Sequence, residues 1–291
     1  MSGLTLREQL AKAREESRAI GHFNISDSNQ FNAIVNAARH AEQPVVIGVS
    51  EGEGEFIGMH TIAGMVTAAR NKGYEVYLNA DHSYSIERAK QAIDLGFDSV
   101  IIDCAKSSLD ENMETTRGIV AYAKANAEKE ILVEGELGYI GTSSKVLDEL
   151  PEGVAISEET MTSPEELSRF IAETGVDLMA PAVGNVHGII TSGNPPLSIS
   201  RIEALSSASV VPLVLHGGSG NTDEEFLSAV KAGIRMIHIN TEIRLAYRKG
   251  LEEGLKADAK EVAPYRFLAQ SVKEVEDTVY QRLMLFAGRI F

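Results

Sequence analysis

Short runs in which apolar and polar residues alternate recur along this chain, and each is followed by a longer stretch with helical spacing. Eight such runs stand out, at residues 19–25, 44–50, 74–81, 99–105, 131–137, 177–183, 211–217 and 236–242. In the third, Val76, Leu78 and Ala80 fall at every second position, the period of a strand. After the first run, Ser26-Asp27-Ser28 opens a stretch with Phe31, Ile34, Val35 and Ala38 on one helical face. Leu4, Leu6, Leu10 and Ala13 predict an amphipathic cap over 4–17, ahead of the first strand. Ser163-Pro164-Glu165-Glu166 places a cap, a first-turn proline and acids at the positive end of a helix. Strands alternating with helices predict a parallel sheet closed into a (β/α)8 barrel. No Pro-, Gly- or Ser-rich linker divides the 291 residues, so one domain over 1–291 is expected; such barrels take about 250 residues. Residues 140–162 follow neither period and are expected to form a flexible lid. The acidic run Glu51–Glu55 reads as a solvated loop. Val272, Val275, Val279, Leu283, Leu285 and Phe286 predict C-terminal helical structure that packs on the barrel or forms a subunit contact.

Barrels of this kind carry their chemistry where strands end. The predicted ends present Asn24, Ser50, Asp81, His82, Asp103, Glu136, His216 and Asn240, a polar ring on an apolar scaffold. Asp103 interrupts an apolar run and needs a charged or hydrogen-bonded partner there. Glu134 and Glu136, two residues apart, point to the same side of their strand, which is the barrel interior. Two inward acids call for a nearby cation. His82, His187 and His216 follow the third, sixth and seventh strands, and three imidazoles from separate strand ends leave a fourth metal position open. His22, His40 and His60 lack that placement and read as structural or surface residues, while His238 lies inside the eighth strand. The turns Gly184–Gly188 and His216–Gly220 are rich in glycine, which lets backbone N–H groups converge on an anion. The second turn, with Ser219, follows the seventh strand and Asn240-Thr241 follows the eighth, the usual phosphate position of the fold.

The net charge of −15 argues against nucleic acid as a partner. It leaves a small anionic ligand open, because local dipoles or a metal can reverse the field within a cavity. A single cysteine, Cys104, excludes an internal disulfide and fits a reducing compartment. No apolar run approaches 18 residues and no basic-then-apolar leader is present, so a cytoplasmic protein without a membrane partner is expected.

Five ordered motifs carry a resemblance: Asp81-His82, Glu134–Gly138 (EGELG), Gly184–Gly188 (GNVHG), His216–Gly220 (HGGSG) and Asn240-Thr-Glu242. Together they resemble those of the class II, metal-dependent fructose-bisphosphate and tagatose-bisphosphate aldolases. The resemblance implies a lyase of carbohydrate metabolism and glycolysis, with zinc on His82, His187 and His216 and with Glu136 and Asp103 as acids that meet the metal in alternative positions. It implies Asp81 as acid/base at the substrate C4 hydroxyl. Gly188, Gly217, Gly218, Ser219 and Thr241 would hold the C1 phosphate with Ser50, and Asn24, Asn240 and Arg244 would face the substrate. A monovalent cation (Na+ or K+) near the glycine carbonyls and a homo-oligomer, dimer or tetramer, are implied as well. Cleaving C3–C4 of a ketose leaves negative charge that zinc can stabilise as an enediolate, while Asp81 moves the hydroxyl proton. The competing strategy, a lysine Schiff base, finds no lysine on the eight runs.

The chain departs from the family pattern at several places. His238 stands where asparagine is usual. Ser144 takes the lid position of an acid/base glutamate, leaving Glu149 or Glu152 as substitutes. Tyr265, beside Arg266, aligns with an arginine. Asn240 is neither the aspartate that goes with fructose bisphosphate nor the alanine that goes with its tagatose epimer, whereas Arg244 agrees with fructose. The leading expectation is reversible cleavage of fructose 1,6-bisphosphate to dihydroxyacetone phosphate and glyceraldehyde 3-phosphate. Tagatose 1,6-bisphosphate or another aldehyde partner is the alternative within the class, and a non-catalytic sugar-phosphate binder the alternative outside it.

Overall fold

The computed structural model describes residues 3–126 and 128–289. Its strands in chain order are β1 (Ile20–Asn24), β2 (Val45–Val49), β3 (Val76–Ser83), β4 (Ser99–Ile102), β5 (Leu132–Leu137), β6 (Val146–Leu147), β7 (Leu178–Pro181), β8 (Ile189–Ile190), β9 (Leu213–Leu215) and β10 (Ile234–Ile239). Eight of them close a parallel barrel in the order β1-β10-β9-β7-β5-β4-β3-β2, and β6 pairs with β8 outside it. The predicted (β/α)8 barrel is therefore the fold.

The strand period sorts side chains into two environments. Val76, Leu78 and Ala80 of β3 face outward into the shell between barrel and helices, together with Phe23, Ile47, Val133 and Ile237. Inside, Ile20, Val46, Tyr77, Leu132, Leu178, Val214 and Met236 form an apolar layer that Leu6, Leu10 and Ala13 plug from below. The plug is the helix Leu6–Glu15, which starts at a Thr5/Glu8 capping box. Burying each such side chain contributes about 1.5–3 kcal/mol. With its N-terminal mouth filled by apolar side chains, the barrel keeps its polar interior positions for the other end.

The last helix, Ala269–Phe286, buries Val275, Val279, Leu283, Leu285 and Phe286. It packs on the helices Ser28–Ala41 and Thr241–Ala257, and Phe286 meets Phe226 edge-on at 5.2 Å. Of its two expected roles, packing on the barrel is the one seen. The helix Pro164–Thr174 begins at the Ser163/Glu166 capping box anticipated from its sequence.

Several boundaries differ from expectation. Strand β3 runs on through His82 to Ser83, whereas β4 ends at Ile102, so Asp103, Cys104 and Ala105 lie beyond it. Strand β10 begins at Ile234 and ends at Ile239, which leaves Asn240 as the N-cap of the following helix. Residues 140–162 are not wholly irregular, because Val146 and Leu147 bond to Ile189 and Ile190. Leu4 is exposed rather than part of the cap's buried stripe. Glu51–Glu55 is not a solvated loop: it opens the helix Glu51–Ile57, with Ser50 and Glu53 as a capping box. Among the described residues no helix is long and apolar enough to cross a membrane.

Candidate active site

A cavity of about 230 Å³ opens at the C-terminal ends of the barrel strands. Asn24, Ser50, Asp81, His82, His187, Gly188, Gly217, Ser219, His238, Asn240, Thr241 and Arg244 all line it, so most of the residues expected to act together are in one place. A larger cavity of about 890 Å³ lies on the opposite face, beside the plugging helix and against Arg39, Arg70, Tyr77 and Asp98, and no histidine lines it. Chemistry in this fold gathers at the C-terminal face.

His82, His187 and His216 bring ring nitrogens within 4.8 Å of one another. Their rings are mutually inclined, by 73° for His82 and His187, 74° for His82 and His216, and 57° for His187 and His216. Lone pairs lie in the ring planes, so inclined rings can converge on one point. A carboxylate holds the far nitrogen of two of the rings. His82 Nδ1 lies 2.9 Å from Asp103 Oδ2, and His216 Nε2 lies 2.8 Å from Glu134 Oε1. The other nitrogens, His82 Nε2 and His216 Nδ1, are buried without a hydrogen-bond partner. A metal-binding histidine characteristically shows this division, one nitrogen free and the other fixed by an acid. Glu136 Oε2 lies 3.4 Å from His82 Nδ1 and 3.3 Å from His216 Nδ1, as a further oxygen donor beside the group. The residues present fit a divalent cation of zinc type.

The electrostatics of the unliganded group agree. Burial opposes charge on His82, but Asp81 and Glu136, with the bond to Asp103, raise its pKa to about 9. Burial opposes charge on His216 too, but its bond to Glu134 and the nearby Glu136 carboxylate raise its pKa well above the ordinary value. His187 goes the other way: burial and its two imidazole neighbours lower it to about 3. A metal binds the neutral ring, so below about pH 9 it must displace the His82 proton. Zinc uptake at pH 7 is therefore expected to release protons, and affinity to rise with pH. Calorimetry in buffers of different ionisation enthalpy reads this directly; a buffer-independent heat would contradict it.

Asp81 sits beside the histidine group with a different assignment. Its Oδ2 accepts from Asn24 Nδ2 at 2.9 Å, and Oδ1 is unbonded, 3.4 Å from His238 Nδ1. Burial disfavours its charge, yet His82, His238 and His22 hold its pKa well below the ordinary carboxylate value. It is thus an ionised proton acceptor facing the cavity. The next residue, His82, has φ 48°, a region rarely used outside glycine, and such strain concentrates at functional sites.

His238 is buried and both its ring nitrogens lack partners. It stacks on His22 at 3.5 Å and 5° and on His216 at 4.2 Å and 24°. The pairing of β1 with β10 sets His22 beside His238. Burial, then His22 and His216, keep His238 well below the usual imidazole pKa, so it is neutral. His22, Asp81 and His238 also approach one another closely. Parallel rings aim their lone pairs side by side, however, which favours the inclined trio as the metal group.

Gly217 (φ 60°) and Gly188 (φ 99°) adopt left-handed backbone. A Cβ at Gly217 would strike the Val186 carbonyl, and one at Gly188 would come 2.6 Å from the Lys145 carbonyl oxygen. Ser219 Oγ accepts from the backbone N–H groups of Asn240 and Glu242. The helix Thr241–Ala257 starts beside this turn, with its N-cap residue Asn240 making no side-chain cap hydrogen bond, and helix N-termini favour anions. Gly218 packs against the His238 carbonyl and does not line the cavity.

Glu149 and Glu152 are exposed, and neither lines the cavity; Thr142 and Ser144 are the residues of the 140–162 segment that do. Glu149 is two residues past β6, whose pairing with β8 holds the preceding chain down. Tyr265 and Arg266 are also exposed, Arg266 being paired with Glu261. Sequence reasoning missed Glu53 and His22. The signal for Glu53 was Ser50-x-x-Glu53, a capping box; that for His22 was its place two residues before Asn24 on β1.

The chain matches the family model "Fructose-bisphosphate aldolase class-II" over residues 4–289. It belongs to the class II fructose-bisphosphate aldolase family. It is accordingly an enzyme, a carbon–carbon lyase. A fructose-bisphosphate aldolase of Staphylococcus aureus (strain Mu50 / ATCC 700699) is 33% identical over 287 residues, covering 97% of this chain and 96% of that one. One from Geobacillus stearothermophilus is 34% identical over 292 residues, covering 99% and 98%. The crystal structure of the YdjI aldolase from Escherichia coli K12 is similar with a TM-score of 0.80 at 26% identity, covering 98% and 97%.

Proposed function

We propose that this aldolase is zinc-dependent and reversibly joins dihydroxyacetone phosphate to an aldehyde, with His82, His187 and His216 as the metal ligands. The observation that carries the reading is the inclined histidine trio, with free nitrogens on His82 and His216 and carboxylates behind them. Zinc bound there would act as a Lewis acid toward oxygens of the ketose. Glu136 and Asp103 supply further acidic donors beside the trio.

In cleavage, Asp81 takes the proton of the C4 hydroxyl; its ionised state and unbonded Oδ1 suit it to that step. The C4–O electrons form the new carbonyl as C3–C4 breaks, and the electron pair of that bond passes to the dihydroxyacetone phosphate half. That half gains a proton at C3 to complete cleavage; in condensation C3 loses that proton and Asp81 returns one to the new C4 oxygen. Asn24 holds the other carboxylate oxygen in place. Neutral His238 offers one N–H donor and one acceptor to the substrate oxygens, in the place of the family's asparagine. Gly188, Gly217, Ser219 and Thr241 receive the C1 phosphate, assisted by the helix N-terminus at Thr241. The 140–162 segment, with Thr142 and Ser144 at the cavity, serves as lid; Glu149 or Glu152 would reach the substrate only after it moved. A monovalent cation near the glycine carbonyls, a homo-oligomeric state and a cytoplasmic location complete the reading.

The relatives from Staphylococcus and Geobacillus are named for fructose bisphosphate; fructose 1,6-bisphosphate and its tagatose epimer are the reference substrates in the cleavage direction. The reading is tested by incubating zinc-loaded protein with dihydroxyacetone phosphate and a panel of aldehydes. Formation of a ketose phosphate is the expected result. Bound dihydroxyacetone phosphate with no product from any aldehyde would favour a sugar-phosphate binder instead.

A further inference from the structure

The edge of the cavity formed by the helix Glu51–Ile57 is acidic, and its donors are already engaged. Glu53, 6% exposed, accepts from Ser50 N, Ser50 Oγ and Asn24 Nδ2, each at 2.9 Å, all through Oε2. Its Oε1 lies 2.7 Å from Arg244 Nη2, and Arg244 Nη1 donates to the Ser144 carbonyl. Among the described residues lining the cavity, Arg244 is the one lysine or arginine. Glu51 lines the same edge.

An aldolase that takes a bisphosphate must neutralise two phosphate dianions. The glycine turn and the helix N-terminus at Thr241 provide for one without involving Glu53. For a second, Arg244 is the one cation lining the cavity among the described residues, and a single buried carboxylate holds Arg244, Asn24 and Ser50. A second phosphate would lie against that carboxylate, or would strip Arg244 from it and leave Glu53 buried and unpaired; both outcomes are costly. A neutral hydroxyaldehyde meets no such repulsion and leaves the Glu53–Arg244 pair intact.

We infer that Glu53 is a specificity-determining residue that selects an aldehyde half without a phosphate, so that the preferred ketose is a monophosphate with a neutral, hydroxylated second half. This rests on the aldol chemistry proposed above. It also changes the meaning of Arg244, which pairs with Glu53 and braces the lid at Ser144 rather than receiving a phosphate.

The test compares glyceraldehyde with glyceraldehyde 3-phosphate as acceptors for dihydroxyacetone phosphate, using the zinc-loaded full chain. The expected kcat/KM ratio favours glyceraldehyde by about a hundredfold, the scale of unfavourable like-charge placement. Glu53→Gln is expected to shift that ratio toward the phosphorylated aldehyde by about tenfold or more, mainly through a lower KM for it. A wild-type preference for glyceraldehyde 3-phosphate, or a ratio unmoved in Glu53→Gln, would overturn the inference while leaving the aldolase reading intact. If the variant fails to fold, the wild-type ratio alone decides. Condensation with no aldehyde at all, zinc present, would overturn both.

Discussion

His187→Ala is expected to fold, to lose tight zinc binding and to lose about 10³-fold or more in aldol turnover. A bound metal's stabilisation of transition-state charge amounts to several kcal/mol, and each 1.36 kcal/mol is a factor of ten in rate. His187 is the cleanest of the three proposed ligands to remove. It is part-buried and neutral, with its pKa lowered to about 3 by burial and by His82 and His216, and no carboxylate pairs with it. His216→Ala, by contrast, would leave Glu134 buried without its imidazole, a loss that confuses stability with ligation. The measurement is zinc content after dialysis, alongside turnover at saturating dihydroxyacetone phosphate. Retained stoichiometric zinc and near-normal rates would mean that the trio is not the ligand set. Glu134→Gln and Asp103→Asn provide a graded comparison: they keep all three imidazoles but loosen their orientation, where losses of about 10–100-fold are usual.

Asp81→Asn is expected to lower kcat by about 10²–10⁴-fold while zinc binding persists, because the amide keeps the shape and the bond to Asn24 but cannot accept the hydroxyl proton. The pH dependence separates this role from a merely structural one. In the metal-free protein the Asp81 pKa lies well below the ordinary value, burial being outweighed by His82, His238 and His22. Its ionised form then persists through mildly acid pH, and loss of activity on acidification should follow protons competing for the imidazoles. Zinc content measured across pH 5–8 (about the range of imidazole titration) should track activity in the wild type. A variant that keeps wild-type kcat would remove Asp81 from the proton transfer.

The barrel was legible because its outward and inward positions obey one simple rule. Val76, Leu78 and Ala80 announce a strand whose outer face packs on helices, and the intervening Asn79 and Asp81 are inside by the same period. The histidine trio was legible too, since three separate strand ends each carried one. Positions whose role depends on a neighbouring strand were harder to read. His22 looked unremarkable until β1 and β10 paired in the register that stacks it on His238. Glu53 was hidden in an acidic run, and the structure of its partners explains the burial: Arg244 is 191 positions away in the chain, and Asn24 comes from a different strand. Glu149 and Glu152 lie away from the cavity for the opposite reason. Their candidacy rested on proximity in sequence to the lid, and β6 turns that part of the chain outward.

The central claim is that one metal ion on the histidine trio makes this fold an aldolase. The most direct measurement is a zinc titration of metal-stripped protein, following consumption of dihydroxyacetone phosphate in the presence of glyceraldehyde and glyceraldehyde 3-phosphate together. Activity should be absent at the start, rise in proportion to zinc, and level off at one ion per chain. Equal consumption by stripped and loaded protein, or zinc uptake that brings no consumption, would contradict the account.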